Sequence, residues 1–118
     1  MKATANHHAG LAAEEIAARH YEARGARVLA RRWRGRGGEI DVIAEAGDET
    51  VFVEVKRAAT HDAAAWRLGP RQRARLRDCA GEFLATRPAG LLTPARFDVA
   101  LVDAAGRVRV IENALQEG

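Results

Sequence analysis

At 118 residues, with 47% hydrophobic and 30% charged side chains, the chain has the size and composition of one soluble globular domain. A single cysteine, Cys79, excludes an internal disulfide and fits a reducing, cytoplasmic setting, and no leader or apolar run of membrane-spanning length is expected. The net charge of +3 is modest, so its distribution matters more than its size: Arg31, Arg32, Arg34 and Arg36 form one cluster, and Arg71, Arg73, Arg75 and Arg77 another. Clustered arginine is either a phosphate footprint or a solvated face.

Residues 1–9 show no periodicity and are expected to be flexible, with no role assigned to His7 and His8. A first helix is predicted from about Leu11 to Arg24, closed by Gly25, with Leu11, Ala13, Ile16, Ala17, His20 and Tyr21 along one stripe. Glu14 and Glu15 then fall in its first turns, where carboxylates complement the helix dipole. Arg27 to Ala30 reads as a short strand, and Arg31 to Gly38 as a Gly- and Arg-rich loop in which Trp33 either caps the core or stacks on a base.

Glu39 to Ala44 and Val51 to Lys56 both alternate with period two, separated by a polar turn containing Gly47-Asp48. A two-residue hairpin closing there fixes the register. One face then pairs Ile40 with Val55, Val42 with Val53 and Ala44 with Val51; all are apolar, so this face is expected to be core. The other pairs Glu39 with Lys56, Asp41 with Glu54 and Ile43 with Phe52. Directly opposed carboxylates repel, so either one is protonated or a cation lies between them. Mg²⁺ or Mn²⁺ suits such a pair, since a hard cation takes one or two carboxylates and fills its shell with water and phosphate oxygens. Of the 19 basic residues only Lys2 and Lys56 are lysines, and Lys56 shares a face with Glu54. Its compact ammonium can orient or activate a water or stabilise an oxyanion.

Arg57 to Leu68, with Trp66, lacks a clean pattern and reads as a mobile loop at the mouth of that face. A second helix is predicted from Gly69-Pro70 to about Thr86, with Leu76, Cys79, Ala80, Phe83 and Leu84 facing in and Cys79 serving packing. Its N-terminal half is rich in arginine, which opposes the helix dipole and which an external anion would relieve. After a Pro/Gly loop, Arg96 to Val102 alternates as a strand with Phe97, Val99 and Leu101 on one face and Asp98 on the other. A turn at Ala104 to Gly106 leads to a last edge strand, Arg107 to Ile111, and a polar tail.

The spacing Asp41 … Glu54-Val55-Lys56 resembles the D…ExK motif of the restriction-endonuclease-like superfamily. The fuller stretch Arg36-Gly-Gly-Glu-Ile-Asp-Val-Ile-Ala through Val51-Phe-Val-Glu-Val-Lys56 is similar to the YraN-like family, itself similar to archaeal Holliday-junction resolvases. The resemblance implies an α/β fold, a mixed sheet of about five strands flanked by helices. It also implies a Mg²⁺- or Mn²⁺-dependent endonuclease acting on DNA, branched DNA included. Asp41 and Glu54 would then be metal ligands and catalytic residues with Lys56. Glu39 is either an outer metal ligand or the ion-pair partner of Lys56. In the family a Glu early in the first helix, followed three residues later by Ala, helps build the metal site; Glu14 fits that place and Glu15 is its neighbour. Arg32, Arg34, Arg36, Arg71, Gln72 and Arg75 are the nucleic-acid-binding candidates, although the family more often has Asn at Arg32 and Lys at Gln72. A resolvase-like role calls for a homodimer. The alternative is a nucleic-acid-binding module on a nuclease fold that does not turn over.

Overall fold

The structure, a computed structural model, describes residues 2–59 and 68–115. Its elements in chain order are α1 (Lys2–Ala23), β1 (Arg27–Arg34), β2 (Glu39–Ala46), β3 (Glu49–Arg57), α2 (Pro70–Leu84), a short 3₁₀ turn (Gly90–Leu92), β4 (Ala95–Val102) and β5 (Val108–Ile111). The strands form one five-stranded sheet in the order β1-β2-β3-β4-β5. All neighbours are antiparallel except β3 and β4, which run parallel and are joined through α2. A parallel pair needs such a crossover connection. The chain is thus a mixed α/β protein with a helix on each face of the sheet.

Each helix has its own core. Against α1 lie Val42, Ala44, Val51, Val53, Ala100 and Val102. The stripe that meets them is Ala13, Ala17, Ala18 and Tyr21, and small side chains let the helix lie close on the sheet. Against α2 lie Ile40, Ile43, Phe52, Val99 and Leu101, with Leu76, Cys79, Ala80, Phe83 and Leu84 supplied by the helix. Phe52 stacks on Phe97 at 5.2 Å and meets Phe83 edge-on at 5.9 Å. Both faces of the central strands are therefore buried, where the alternation had called for one.

The β2–β3 hairpin closes on Gly47-Asp48 with Val42 paired to Val53, Ile43 to Phe52 and Ala44 to Val51, the expected register. Gly47 has φ 63° while Asp48 stays at negative φ, as in the II′ turns that match strand twist. Two boundaries that bear on the site differ from the sequence reading. Helix α1 starts at Lys2, so Glu14 and Glu15 lie mid-helix and the dipole account of them falls away. Strand β1 continues to Arg34, with Arg31 on Val42, Trp33 on Ile40 and Arg34 on Glu39. An edge strand tolerates this run of arginines because its outer side faces water. Trp33 is a core residue, 5.6 Å edge-on to Phe83. The expected mobile loop with Trp66 lies largely outside the described residues.

Asp98 is 2% exposed, on β4 beside Val53. Its Oδ2 accepts from the Tyr21 hydroxyl at 2.7 Å and its Oδ1 from Arg96 Nε at 3.0 Å. Arg96 in turn donates to Glu49 at 2.9 Å. Burial and the Asp98 charge raise the Tyr21 pKa well above the ordinary tyrosine range, so the hydroxyl keeps its proton and ties α1 to the sheet. Removing one member of a buried charged network leaves the others unpaired. Asp98→Ala is expected to lower the unfolding free energy by about 3 kcal/mol, and Tyr21→Phe by about 1 kcal/mol. Urea denaturation checks both, and an unchanged midpoint in Asp98→Ala would refute the network's structural role.

Candidate active site

The hydrogen-bonded pairs of a two-residue hairpin recur at every second residue. After Val42–Val53 the Val55 amide would next donate to the Ile40 carbonyl. It donates instead to Asp41 Oδ2 at 2.8 Å. The paired register stops at Val42 and Val53, although both strands run on to Glu39 and Arg57. Ile40 leaves the face of Val42 and joins the α2 core, which corrects its expected placement. The opposition of Glu39 to Lys56 is lost for the same reason. Glu39 turns to β1, accepting from Arg34 Nη2 at 3.1 Å and lying 3.8 Å from Arg32 Nε.

The carboxyls of Asp41 and Glu54 meet where the strands part. Burial and then the Asp41 charge and hydrogen bond push the Glu54 pKa up to about 7. A hydrogen bond between two carboxyls requires a proton on one of them, and these effects put it on Glu54. Lys56 Nζ lies 4.0 Å from Glu54 Oε1, and Arg75 of α2 also acts on Glu54 to favour its charged form. Helix α1 adds Glu14. Its side chain is 18% exposed, and its pKa is raised first by burial and then by the Asp41 charge. Between Glu14 and Glu15 the geometry is unequivocal: Glu14 turns toward Asp41, while Glu15 pairs with Arg19 and Arg31.

Glu14 Oε1 is buried and accepts no hydrogen bond. Among the described residues no three ligand side chains close up into a cage for a metal ion. Mg²⁺ does not need one, because it keeps several waters and takes one or two carboxylates. Asp41 and Glu54, with the orphaned Glu14 oxygen close by, are hard oxygen donors of that kind, and they fit.

The basic residues frame this centre unevenly. The Gly35–Gly38 turn packs onto α2: Glu82 Oε2 accepts from the Arg36 amide at 2.8 Å, and a Cβ on Gly38, whose φ is 148°, would sit 2.6 Å from Arg75 Cδ. Helical spacing places Arg71, Arg75, Asp78 and Glu82 along this same edge of α2. Arg36, Arg71 and Arg75 thus share one exposed surface, with half-buried Gln72 behind them. Arg73 and Arg77 fall on the other side of the helix. Arg32 and Arg34, the remaining nucleic-acid-binding candidates, lie beside Glu14 and Glu39. The part Arg32 plays was hidden by reading residues 31–38 as a loop. Continuing β1 along β2 puts Arg34 on Glu39 and Arg32 between the Arg31–Val42 and Trp33–Ile40 pairs.

Fold and centre together define a mixed α/β protein with a half-buried carboxylate group at the point where two sheet strands separate. The chain belongs to the family described as "Uncharacterised protein family UPF0102", whose profile matches residues 13–102, a span that holds Glu14, Asp41, Glu54, Lys56 and Arg75. A UPF0102 protein of Ruegeria pomeroyi is 56% identical over 117 residues, covering 99% of this chain and 95% of its own length. One of Cereibacter sphaeroides strain KD131 is 56% identical over 114 residues, covering 97% of each. One of Roseobacter denitrificans is 51% identical over 112 residues, covering 95% of this chain and 87% of its own. Among the described residues no helix is long and apolar enough to cross a membrane.

The shared proton has a consequence for stability. The folded protein holds it more tightly than the unfolded chain, whose glutamates titrate near 4.5. Stability contributed at this position therefore falls as pH rises from about 4.5 to about 7. Glu54→Gln, which mimics the protonated form, is expected to flatten that decline in metal-free thermal melts; an unaltered slope would place the proton elsewhere. Asp41→Asn keeps an acceptor for Val55 and removes half of the repulsion. Its metal-free melting temperature is expected to equal or exceed the parent's, against the general tendency of substitutions to destabilise. A large drop would make Asp41 a purely structural group.

Proposed function

We propose that this protein is a divalent-metal-dependent endonuclease that hydrolyses phosphodiester bonds in DNA, branched DNA included, on a restriction-endonuclease-like fold. The observation that carries the reading is the meeting of Asp41 and Glu54 with Lys56 Nζ 4.0 Å from the Glu54 carboxyl. Paired, half-buried carboxylates beside a single lysine, on adjacent strands, have no evident role in packing. The basic surface of Arg36, Arg71 and Arg75 lies alongside.

Asp41 and Glu54 would hold Mg²⁺ or Mn²⁺, with Glu14 assisting. Such an ion supplies a water of lowered pKa and neutralises charge on the scissile phosphate. The chain's own residues do the rest. Glu54 would release its proton to solvent on taking the charged form that holds the ion, and Asp41, anchored by the Val55 amide, holds a fixed direction. Lys56 donates to the attacking water, orients it, and then faces the charge that develops on the phosphate. Arg36, Arg71 and Arg75 grip neighbouring phosphates, with Gln72 able to hydrogen-bond one. Two symmetric cuts in a branched substrate would require a second copy of the chain.

The test is a cleavage assay with Mg²⁺ or Mn²⁺ on linear, flapped and four-way-junction DNA. Metal-dependent nicking is expected, abolished in Asp41→Asn and in Lys56→Ala. DNA affinity should fall by about 0.9 log units per log unit of salt for each phosphate neutralised. Salt-sensitive binding without cleavage of any substrate would replace this reading by the non-cleaving one, and absence of binding at low salt would remove both.

A further inference from the structure

Arg32 has φ 51°, and among the described residues only one other non-glycine residue, Asn113, has positive φ. Long side chains rarely adopt this left-handed conformation, and asparagine tolerates it better. Strained backbone persists where its surroundings fix it, and such residues gather at functional sites. What surrounds Arg32 is acidic. Its Nε lies 3.8 Å from Glu14 Oε1 and 3.8 Å from Glu39 Oε1. Both separations are too long for a hydrogen bond, so the guanidinium is held by charge and not clamped. The Glu14 oxygen it faces is the buried one that accepts no hydrogen bond.

A guanidinium cannot give up its proton and has no lone pair for a metal. A divalent ion drawn to Glu14 and Asp41 must therefore either bind against the Arg32 charge or push it aside. The side chain is 44% exposed, which leaves it room to swing outward. Resting on the metal-site reading above, we propose that Arg32 is the internal counter-cation of this site. It neutralises Glu14 and Glu39 in the metal-free protein and competes with the divalent ion, and so sets the free-metal concentration at which the site loads. It is a positioning residue and touches no reacting atom.

The experiment is isothermal titration of Mn²⁺ alone into the full chain and into Arg32→Asn, with Asp41→Asn as the control. Asparagine accepts the backbone conformation at this position, so the fold is retained. A unit charge removed from about 6 Å of a divalent ion in a water-like dielectric corresponds to roughly a tenfold change in affinity. Arg32→Asn is expected to bind Mn²⁺ about tenfold more tightly than the parent. If Asp41→Asn abolishes Mn²⁺ binding while Arg32→Asn binds equally or more weakly than the parent, the counter-cation role is overturned and the metal site stands. If the parent shows no Asp41-dependent binding at millimolar Mn²⁺, both fall together.

Discussion

The amide of Val55 donates to the side chain of Asp41, at 2.8 Å, where the hairpin register would offer the Ile40 carbonyl. That substitution is the constraint on which the acidic centre depends. It removes the need for β2 to follow β3 past Val42, so the two strands separate while the Val55 amide keeps an acceptor. Separation lets Ile40 turn into the α2 core and opens the space in which Glu54, Asp41 and Lys56 meet. A regular ladder would carry the same carboxylates as a simple cross-strand pair.

The rest of the fold supplies walls for that opening. Helix α1 can bring Glu14 close to Asp41 because its sheet-facing stripe is mostly alanine, and the buried Tyr21–Asp98–Arg96 network ties its far end to β4. Helix α2 reaches the centre from the opposite face. Glu82 anchors the Gly35–Gly38 turn to it, and Arg75 passes close by Gly38, so Arg36 of the turn and Arg71 and Arg75 of the helix belong to one surface. The centre therefore draws on α1, the β2–β3 hairpin and α2, which follow one another at a distance along the chain. A half-buried acidic group of this kind carries a repulsion that must be offset, by the proton on Glu54 and by the Arg32 guanidinium near Glu14 and Glu39.

Much of this was legible in the chain, for reasons that can be named. Period-two alternation and the Gly47-Asp48 turn gave the hairpin its register, and Pro70 with the spacing of Leu76, Cys79, Phe83 and Leu84 gave α2. Other features left no local signal. Arginines at 31, 32 and 34 read as loop because charge on an edge strand and charge in a loop look alike. The choice between Glu14 and Glu15 depends on helix phase, which a stretch dominated by alanine does not fix. The face taken by Ile40 is decided by a side chain standing in for a backbone acceptor, which no periodicity encodes. Asp98 could be placed only on the face opposite Phe97, since a buried aspartate betrays itself only through partners such as Tyr21, distant in sequence.

The central claim is that this acidic centre is a metal site. Its most direct test is a crystal grown with Mn²⁺ and no nucleic acid, examined by anomalous scattering. The account predicts a manganese peak coordinated by the carboxylates of Asp41 and Glu54, with the Arg32 side chain moved away from Glu14. A map with no manganese at these carboxylates, or with Arg32 still lying between Glu14 and Glu39 beside a bound ion, would contradict it.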